Sequence, residues 1–154
     1  MAQQGGYGNR RDNRGGGRGG RERDATPTID TGGIDLKSIS PELFDDVARR
    51  AARTVAGNRK SNKPTQLRKF YDEIVMWETK VAMHPDRFDD YLPFIRMLNA
   101  KVAYAKGRNN LVDENYVEMM NHCLRQVDSD RTMRVFKLFM EAFMGFYKLE
   151  RPKD

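Results

Sequence analysis

The sequence predicts an all-α protein, a compact bundle of about five helices that follows a disordered N-terminal tail rich in glycine and arginine. Apolar residues recur at helical spacing in five successive segments, and no segment alternates apolar and polar side chains as a half-buried strand would. Ten of the 13 glycines lie before Ile34. We therefore expect a tail over residues 1–38 and a single helical domain over residues 39–154.

The tail is basic and poor in apolar side chains. Residues 1–24 hold six arginines against three acidic residues, and short Arg-Gly-Gly units begin at Arg14 and Arg18. Aliphatic side chains are almost absent before Ile29, so no core offsets the entropy that ordering would cost. Arginines on a flexible chain can contact phosphates and stack on bases. Two interpretations stay open: an RNA-binding tail and a solubilising extension without one target.

The first two helices have clear sequence signals. Ser40 can cap the first, with proline next in sequence, and Gly57 follows its last apolar residues. The second covers residues 65–83, where Phe70, Ile74 and others form one apolar stripe.

The third helix is predicted over residues 92–106. Pro93 would lie in its first turn, where the missing N–H costs nothing, and Gly107 is placed to end it in a left-handed cap. Phe94 falls on the apolar face of this helix, which is expected to face the core.

The last two helices complete the predicted bundle. Asp113 is expected to cap the fourth, which runs to about residue 127, and the fifth runs from a turn at 128–130 to about residue 147. The apolar arc of the fifth helix is unusually wide, which indicates a central place in the bundle or an interface with another chain. Gly145 in mid-helix suggests a close helix crossing, and Arg151 a simple interaction with the helix dipole.

A basic row lies beside the apolar face of the third helix. Lys101, Tyr104 and Arg108 recur at spacings of three and four, and no Asp or Glu occurs between Tyr91 and Asn110. The two cations therefore lack an acidic partner on their own helix. The row is interpreted as an unpaired edge that contacts phosphates, and the alternatives are a solvated rim or a contact with acids of another helix.

Two further groups of cations are candidates for phosphate contact. Arg59, Lys60 and Lys63 crowd the connection between the first two helices, where backbone N–H groups could also face phosphate. The alternative for this loop is an ordinary solvated connector. Arg68 and Lys69 open the second helix, but acids four residues further on could pair with them.

Composition narrows the classes of function. The 154 residues carry a net charge of +6, which favours polyanionic partners. One cysteine and two histidines fall short of a zinc site, and we expect no metal and no cofactor. No apolar run could span a bilayer, so no membrane partner and a cytoplasmic location are expected. Glycine-rich phosphate loops, GxSxG and HExxH are absent, and no catalytic residue is expected.

Three segments resemble one known family. Residues 65–71 (TQLRKFY) are similar to its helix-opening signature, residues 92–108 to its central motif, and residues 136–148 to its closing helix. On these residues the chain resembles the small helical subunit of type III-A CRISPR interference complexes. The resemblance covers about residues 65–148 and does not extend to the glycine- and arginine-rich tail.

The resemblance implies a non-catalytic RNA-binding subunit in antiviral defence. Such subunits stack in several copies beside the backbone subunits that hold the guide RNA, in a complex with a large signature subunit, and they contact the sugar–phosphate chain of target RNA. Base pairing with the guide supplies sequence recognition, as in guided systems generally. By position, the resemblance implicates Arg68, Lys69, Lys101 and Arg108 as the cations that face RNA.

Two other hypotheses stay open. A free-standing protein could bind RNA or DNA through its Arg-Gly-Gly tail. Alternatively, a helical adaptor could bind only protein through the wide aromatic face of its last helix.

Overall fold

The computed structural model describes residues 27–151, and residues 1–26 of the predicted tail lie outside this range. The described chain forms six α-helices: α1 (Ala48–Gly57), α2 (Pro64–Met83), α3 (Phe88–Arg96), α4 (Leu98–Gly107), α5 (Glu114–Gln126) and α6 (Asp130–Glu150). No strand occurs among these residues, which confirms the predicted all-α bundle; α3 and α4 together take the place of the predicted third helix. No helix within this range combines the length and the apolar character that crossing a bilayer requires.

The first helix starts differently from the prediction. A π-helical turn, Leu43–Val47, precedes α1, and no side-chain cap bond is formed at the start of this turn. Ser40 contributes its carbonyl oxygen, which accepts a bond from the N–H of Leu43. The hydroxyl cap expected at Ser40 is therefore not formed.

α6 is the central helix, as its wide apolar arc indicates. It packs against both α1 and α2, and Phe136, Phe139 and Phe143 are fully buried along it. Truncating one such phenylalanine to alanine would cost about 3–5 kcal/mol of stability. The helix begins with a capping box in which Ser129 and Thr132 satisfy each other's backbone N–H groups.

The predicted start of the third helix is wrong. A 3-10 turn over Pro85–Arg87 leads directly into α3 at Phe88, so Pro93 lies inside α3, where it lacks the N–H that would bond the preceding turn. One turn later, a break at Met97 separates α3 from α4. Pro93 therefore lies one turn before the break and not in the first turn of the helix.

Two other expectations for this helix are also wrong. Phe94 is 54 % exposed, because the core takes up the neighbouring side chain, Ile95, and leaves Phe94 at the rim. Gly107 does not form a left-handed cap. Asn109 and Asn110 adopt the left-handed conformation instead, with φ angles of 57° and 50°, which asparagine tolerates better than most residues.

The predicted tail boundary at residue 38 is wrong for the segment that the structure describes. Ile29, Ile34 and Leu36 are buried against the bundle. Polar side chains of α5 hold the backbone of this segment: Asn115 accepts from the N–H of Ile29 at 2.9 Å, and Gln126 accepts from the N–H of Leu36 at 2.8 Å. The burial of these three aliphatic side chains supplies a favourable free energy that offsets the conformational entropy lost when this segment is ordered.

Gly145 lies on an open part of α6 and not at a helix crossing. A Cβ atom added at this position would meet no heavy atom within 4 Å. The predicted close crossing is therefore wrong, and no packing contact within residues 27–151 requires glycine here.

Candidate nucleic-acid interface

One groove brings together four of the eight residues that were predicted to bind RNA. It has a volume of about 480 Å³ and lies between α2 and α4. Lys69 lines it from α2, Lys101 and Tyr104 line it from α4, and Arg108 lines it from the residue just after α4. We call it the basic groove.

Lys101 has an acidic partner in the basic groove, on the opposite helix. Its Nζ lies 2.5 Å from Oε1 of Glu73 in α2, and the two side chains are 48 % and 23 % exposed. The second carboxylate oxygen of Glu73, Oε2, is buried and has no hydrogen-bond partner in the described chain. The interpretation of Lys101 as an unpaired cation is therefore wrong, and the alternative of a contact with an acid of another helix is correct.

The other predicted residues of the basic groove are accessible. Tyr104 is 66 % exposed, and Lys69 and Arg108 are exposed as well. Neither Lys69 nor Arg108 forms an ion pair within residues 27–151. With Glu73, the groove holds three cations and one carboxylate, a net formal charge of +2.

Arg68 belongs to a second groove on the other side of Lys69. This groove, of about 730 Å³, lies between α2 and α6, and Lys148 and Gly145 also line it. Arg68 pairs with Asp72 at 3.3 Å, and both side chains are largely exposed. The pair therefore contributes little to stability and leaves the guanidinium accessible to solvent. Lys69 stands on the ridge between the two grooves.

The loop that carries Arg59, Lys60 and Lys63 lies at one end of the basic groove. The backbone N–H of Lys63 donates to the carbonyl of Leu111, which lines that groove, and the N–H of Lys60 donates to the side chain of Asn58. The expectation that these two N–H groups could face phosphate is therefore wrong. All three cationic residues are exposed; Nη2 of Arg59 also donates to the carbonyl of Glu150 at 3.2 Å, and Nζ of Lys63 donates to the carbonyl of Arg59 at 3.3 Å.

Arg151 fixes the conformation of this loop. It is only 2 % exposed, and its Nη1 donates to the carbonyls of Ser61 and Asn62 at 2.7 and 2.9 Å, while Nη2 donates to the carbonyl of Arg59 at 3.1 Å. The hydroxyl of Tyr147 donates to the same Asn62 carbonyl. A buried guanidinium needs such acceptors, and here they are the carbonyls of the basic loop. The predicted simple dipole interaction is therefore wrong for Arg151.

Two titratable side chains in the core, Tyr116 and Cys123, have raised pKa values. Burial raises the pKa of the Cys123 thiol and of the Tyr116 hydroxyl. His122, the neighbour of Cys123 in sequence, has its Nε2 2.8 Å from the carbonyl oxygen of Ile34. Within the same range, no group of three or more His, Cys, Asp or Glu could hold a metal ion.

Comparison with known families agrees with the resemblance that the sequence motifs suggested. The family model described as Csm2 Type III-A matches residues 39–153, about three quarters of the chain and all six helices. Among curated proteins and solved structures, none matches the chain significantly. The match begins just after the segment that packs Ile29, Ile34 and Leu36 on the bundle. The chain therefore belongs to the Csm2 family and is a small subunit of a type III-A CRISPR effector complex.

Proposed function

We propose that this chain is a non-catalytic subunit that lines the path of target RNA and contacts the RNA backbone without sequence preference. Several copies stack along the guide–target RNA in the cytoplasm, beside the backbone subunits and the large signature subunit. Family membership supports the place in the complex. The RNA contact is supported by one observation above all: Lys69, Lys101, Tyr104 and Arg108 line a single open groove.

The dimensions of the basic groove suit a polynucleotide strand. Lys101 and Arg108 are seven residues apart, about 10.5 Å along a helix and so about three phosphates of a stacked strand. Lys69 supplies a cation from the opposite wall. Contacts of this kind position a strand and carry no sequence information. Base identity is then read by the guide RNA through pairing.

The basic loop extends the same path. Arg59, Lys60 and Lys63 lie where the groove ends, on a backbone that Arg151 holds in place. A strand that leaves the basic groove at Leu111 would meet these cations next. We propose that they contact the following phosphates.

The test is the affinity of the full chain for single-stranded RNA after Lys101→Ala and Arg108→Ala together. With about four cations engaged, the log–log salt slope of the unaltered chain should be near −3, and losing two should make it shallower by about 1.4. The loss of affinity should be the same for every RNA sequence. The matched control is Arg50→Ala with Arg87→Ala, two exposed arginines outside the groove. A loss that depends on sequence, or an equal loss in the control, would contradict the proposal.

The tail hypothesis is separated by deleting residues 1–26. This deletion keeps Ile29, Ile34 and Leu36, which belong to the core, whereas a deletion through residue 38 would also remove packing. If all RNA binding disappears with residues 1–26 while Lys101→Ala and Arg108→Ala have no effect, the tail is the binding element.

The adaptor hypothesis loses its main support in the fold. Phe136, Phe139 and Phe143 are buried inside the bundle, so the aromatic face of α6 is not available to a partner. An adaptor would also retain all its binding properties with Lys101→Glu and Arg108→Glu, which the proposed RNA contact would not.

A further inference from the structure

Two exposed apolar side chains, Met97 and Phe94, continue the row of the basic groove beyond Lys101. Phe94, Met97, Lys101 and Tyr104 recur at spacings of three, four and three, and all four are exposed. The row continues across the break at Met97 because both parts of it contact one face of α2: Lys101 pairs with Glu73, and Phe94 stacks on Trp77, one helical turn further along α2. The row therefore presents aromatic rings and cations on one surface.

The ring of Phe94 stacks on the ring of Trp77 in the opposite helix, α2. The two rings are nearly parallel, with an interplanar angle of 15° and a centroid separation of 5.8 Å. Trp77 covers one side of Phe94, and the 54 % exposure of Phe94 leaves the rest of the ring open. Lys80 places its Nζ 5.0 Å from the Trp77 ring centroid, so a cation accompanies this aromatic pair as well.

We propose that Phe94 and Tyr104 are stacking platforms for two bases of single-stranded RNA, with Lys101 beside the phosphates between them and Lys80 beside the phosphates beyond Phe94. This inference rests on the proposed function and adds the base contact to it. Alternating aromatic rings and cations are how proteins bind single strands without reading their sequence. Phe94 in α3 and Tyr104 in α4 are ten residues apart, a separation of at most about 15 Å, or about four nucleotide steps, because the break at Met97 can only shorten the path of a straight helix.

A base fits this surface better than a protein partner does. Protein interfaces exclude lysine from their centres, because burying an ammonium is costly. Here Lys101 stands between the two rings and pairs with Oε1 of Glu73, whose side chain is 23 % exposed. A phosphate can approach Lys101 from solvent while bases cover Phe94 and Tyr104, so no cation has to be buried.

The experiment compares an adenosine oligoribonucleotide of about ten residues with an abasic ribose–phosphate oligomer of equal length. Phe94→Leu and Tyr104→Leu keep apolar bulk and remove the flat ring, whereas Phe94→Tyr keeps the ring. Ile39→Ala is the control for loss of exposed apolar surface, because Ile39 is 49 % exposed and lies outside the groove. Melting temperatures identify any variant that is poorly folded.

Each leucine variant should bind the adenosine oligomer at least about fivefold more weakly, because one base stack is lost. Affinity for the abasic oligomer should stay unchanged in both. Phe94→Tyr and Ile39→Ala should bind both oligomers as the unaltered chain does. Fluorescence of Trp77, the only tryptophan in the chain, should be quenched by the adenosine oligomer and not by the abasic one.

Three results would overturn the inference, and they are distinguishable from a failure of the proposed function. The unaltered chain could bind both oligomers equally, or Phe94→Leu could weaken both equally; in either case no base stacks at Phe94, while the phosphate contacts of Lys101 and Arg108 still stand. Phe94→Leu could instead leave RNA affinity intact and weaken association between copies, which would make the ring a protein contact. Only a lack of effect of Lys101→Ala with Arg108→Ala would remove the RNA contact itself.

Discussion

Replacing Glu73 by glutamine should strengthen RNA binding. Glu73→Gln keeps the shape of the side chain and removes the one negative charge that lines the basic groove. In the present arrangement the carboxylate holds the Lys101 ammonium at 2.5 Å, so a phosphate must compete for the same cation. Removing that competitor leaves Lys101 available to the strand.

The magnitude follows from two small effects. An ion pair whose cation is about half exposed, as Lys101 is, contributes about 0.2–1 kcal/mol, which RNA no longer has to displace. A phosphate about 7 Å from the carboxylate would be repelled by about 0.6 kcal/mol in water, which also disappears. The sum, about 1 kcal/mol, corresponds to about a fivefold gain in affinity. Because one more cation is fully neutralised by phosphate, the log–log salt slope should become steeper by up to about 0.7.

Fluorescence anisotropy with a labelled single-stranded RNA, measured over a range of salt concentrations, gives both quantities. Asp128→Asn is the matched control, because it removes the same charge from another close ion pair, Lys37–Asp128 at 2.8 Å, outside the basic groove. The control tests whether a change in net charge alone raises affinity. Its effect should be small, since exposed charges beyond the Debye length of about 8–10 Å are screened.

The opposite outcome would refute the reasoning. If Lys101 serves only as the structural partner of Glu73, then Glu73→Gln and Lys101→Ala should each lower stability slightly and leave RNA affinity unchanged. If Lys101 contacts phosphate, the two variants must change affinity in opposite directions. An equal gain for Glu73→Gln and Asp128→Asn would assign the effect to net charge rather than to the groove.

Three further predictions concern the fold. Arg151→Ala should lower the free energy of unfolding by about 3 kcal/mol, because several loop carbonyls lose a charged donor. Lys148→Ala, at an exposed position on the last turns of α6, should lower it by less than about 0.5 kcal/mol. Chemical denaturation measures both, and equally small losses would show that Arg151 interacts only with the helix dipole. Gly145→Ala should stabilise the chain by about 0.5–1 kcal/mol, since the added methyl group meets open space and helix propensity improves; a lower melting temperature would contradict this. Cys123 should resist alkylation at neutral pH in the folded chain and react after unfolding in guanidinium, because burial raises its thiol pKa and excludes reagent; rapid labelling of the native chain would show that this part of the core opens readily.

Local sequence signals predicted the helices well where start, apolar stripe and end all lie within one segment. α2 was expected over residues 65–83 and runs Pro64–Met83. The side chain of Asp113 accepts from the N–H of Tyr116, which confirms the predicted cap of α5. These signals depend on neighbours three or four residues apart, so they can be read from the sequence alone.

The errors arose where a residue's environment is set by a distant element. Glu73 is 28 positions from Lys101 in sequence, and only the side-by-side arrangement of α2 and α4 makes them partners. The spacing of Phe94 assigns it to an apolar stripe, yet no helix covers this side chain, which lies exposed at the rim of the bundle. Residues 27–38 are held by side chains of α5, which no local pattern could reveal.

The candidate site was predicted in part for the same reason. Periodicity placed Lys101, Tyr104 and Arg108 on one face of a helix, and the structure adds Lys69 from the opposite wall. Arg151 was missed as the anchor of the basic loop, because its acceptors lie about 90 positions earlier in the chain. Its position one turn after the buried Tyr147 was the only sequence signal for burial.

The most direct test of the central claim is the structure of the assembled effector complex with target RNA bound. In each copy of this chain, the Lys101 Nζ and the Arg108 guanidinium should lie within about 4 Å of phosphate oxygens of the target strand. A complex in which both side chains are buried against another polypeptide, with no RNA near α4, would contradict the proposed RNA contact.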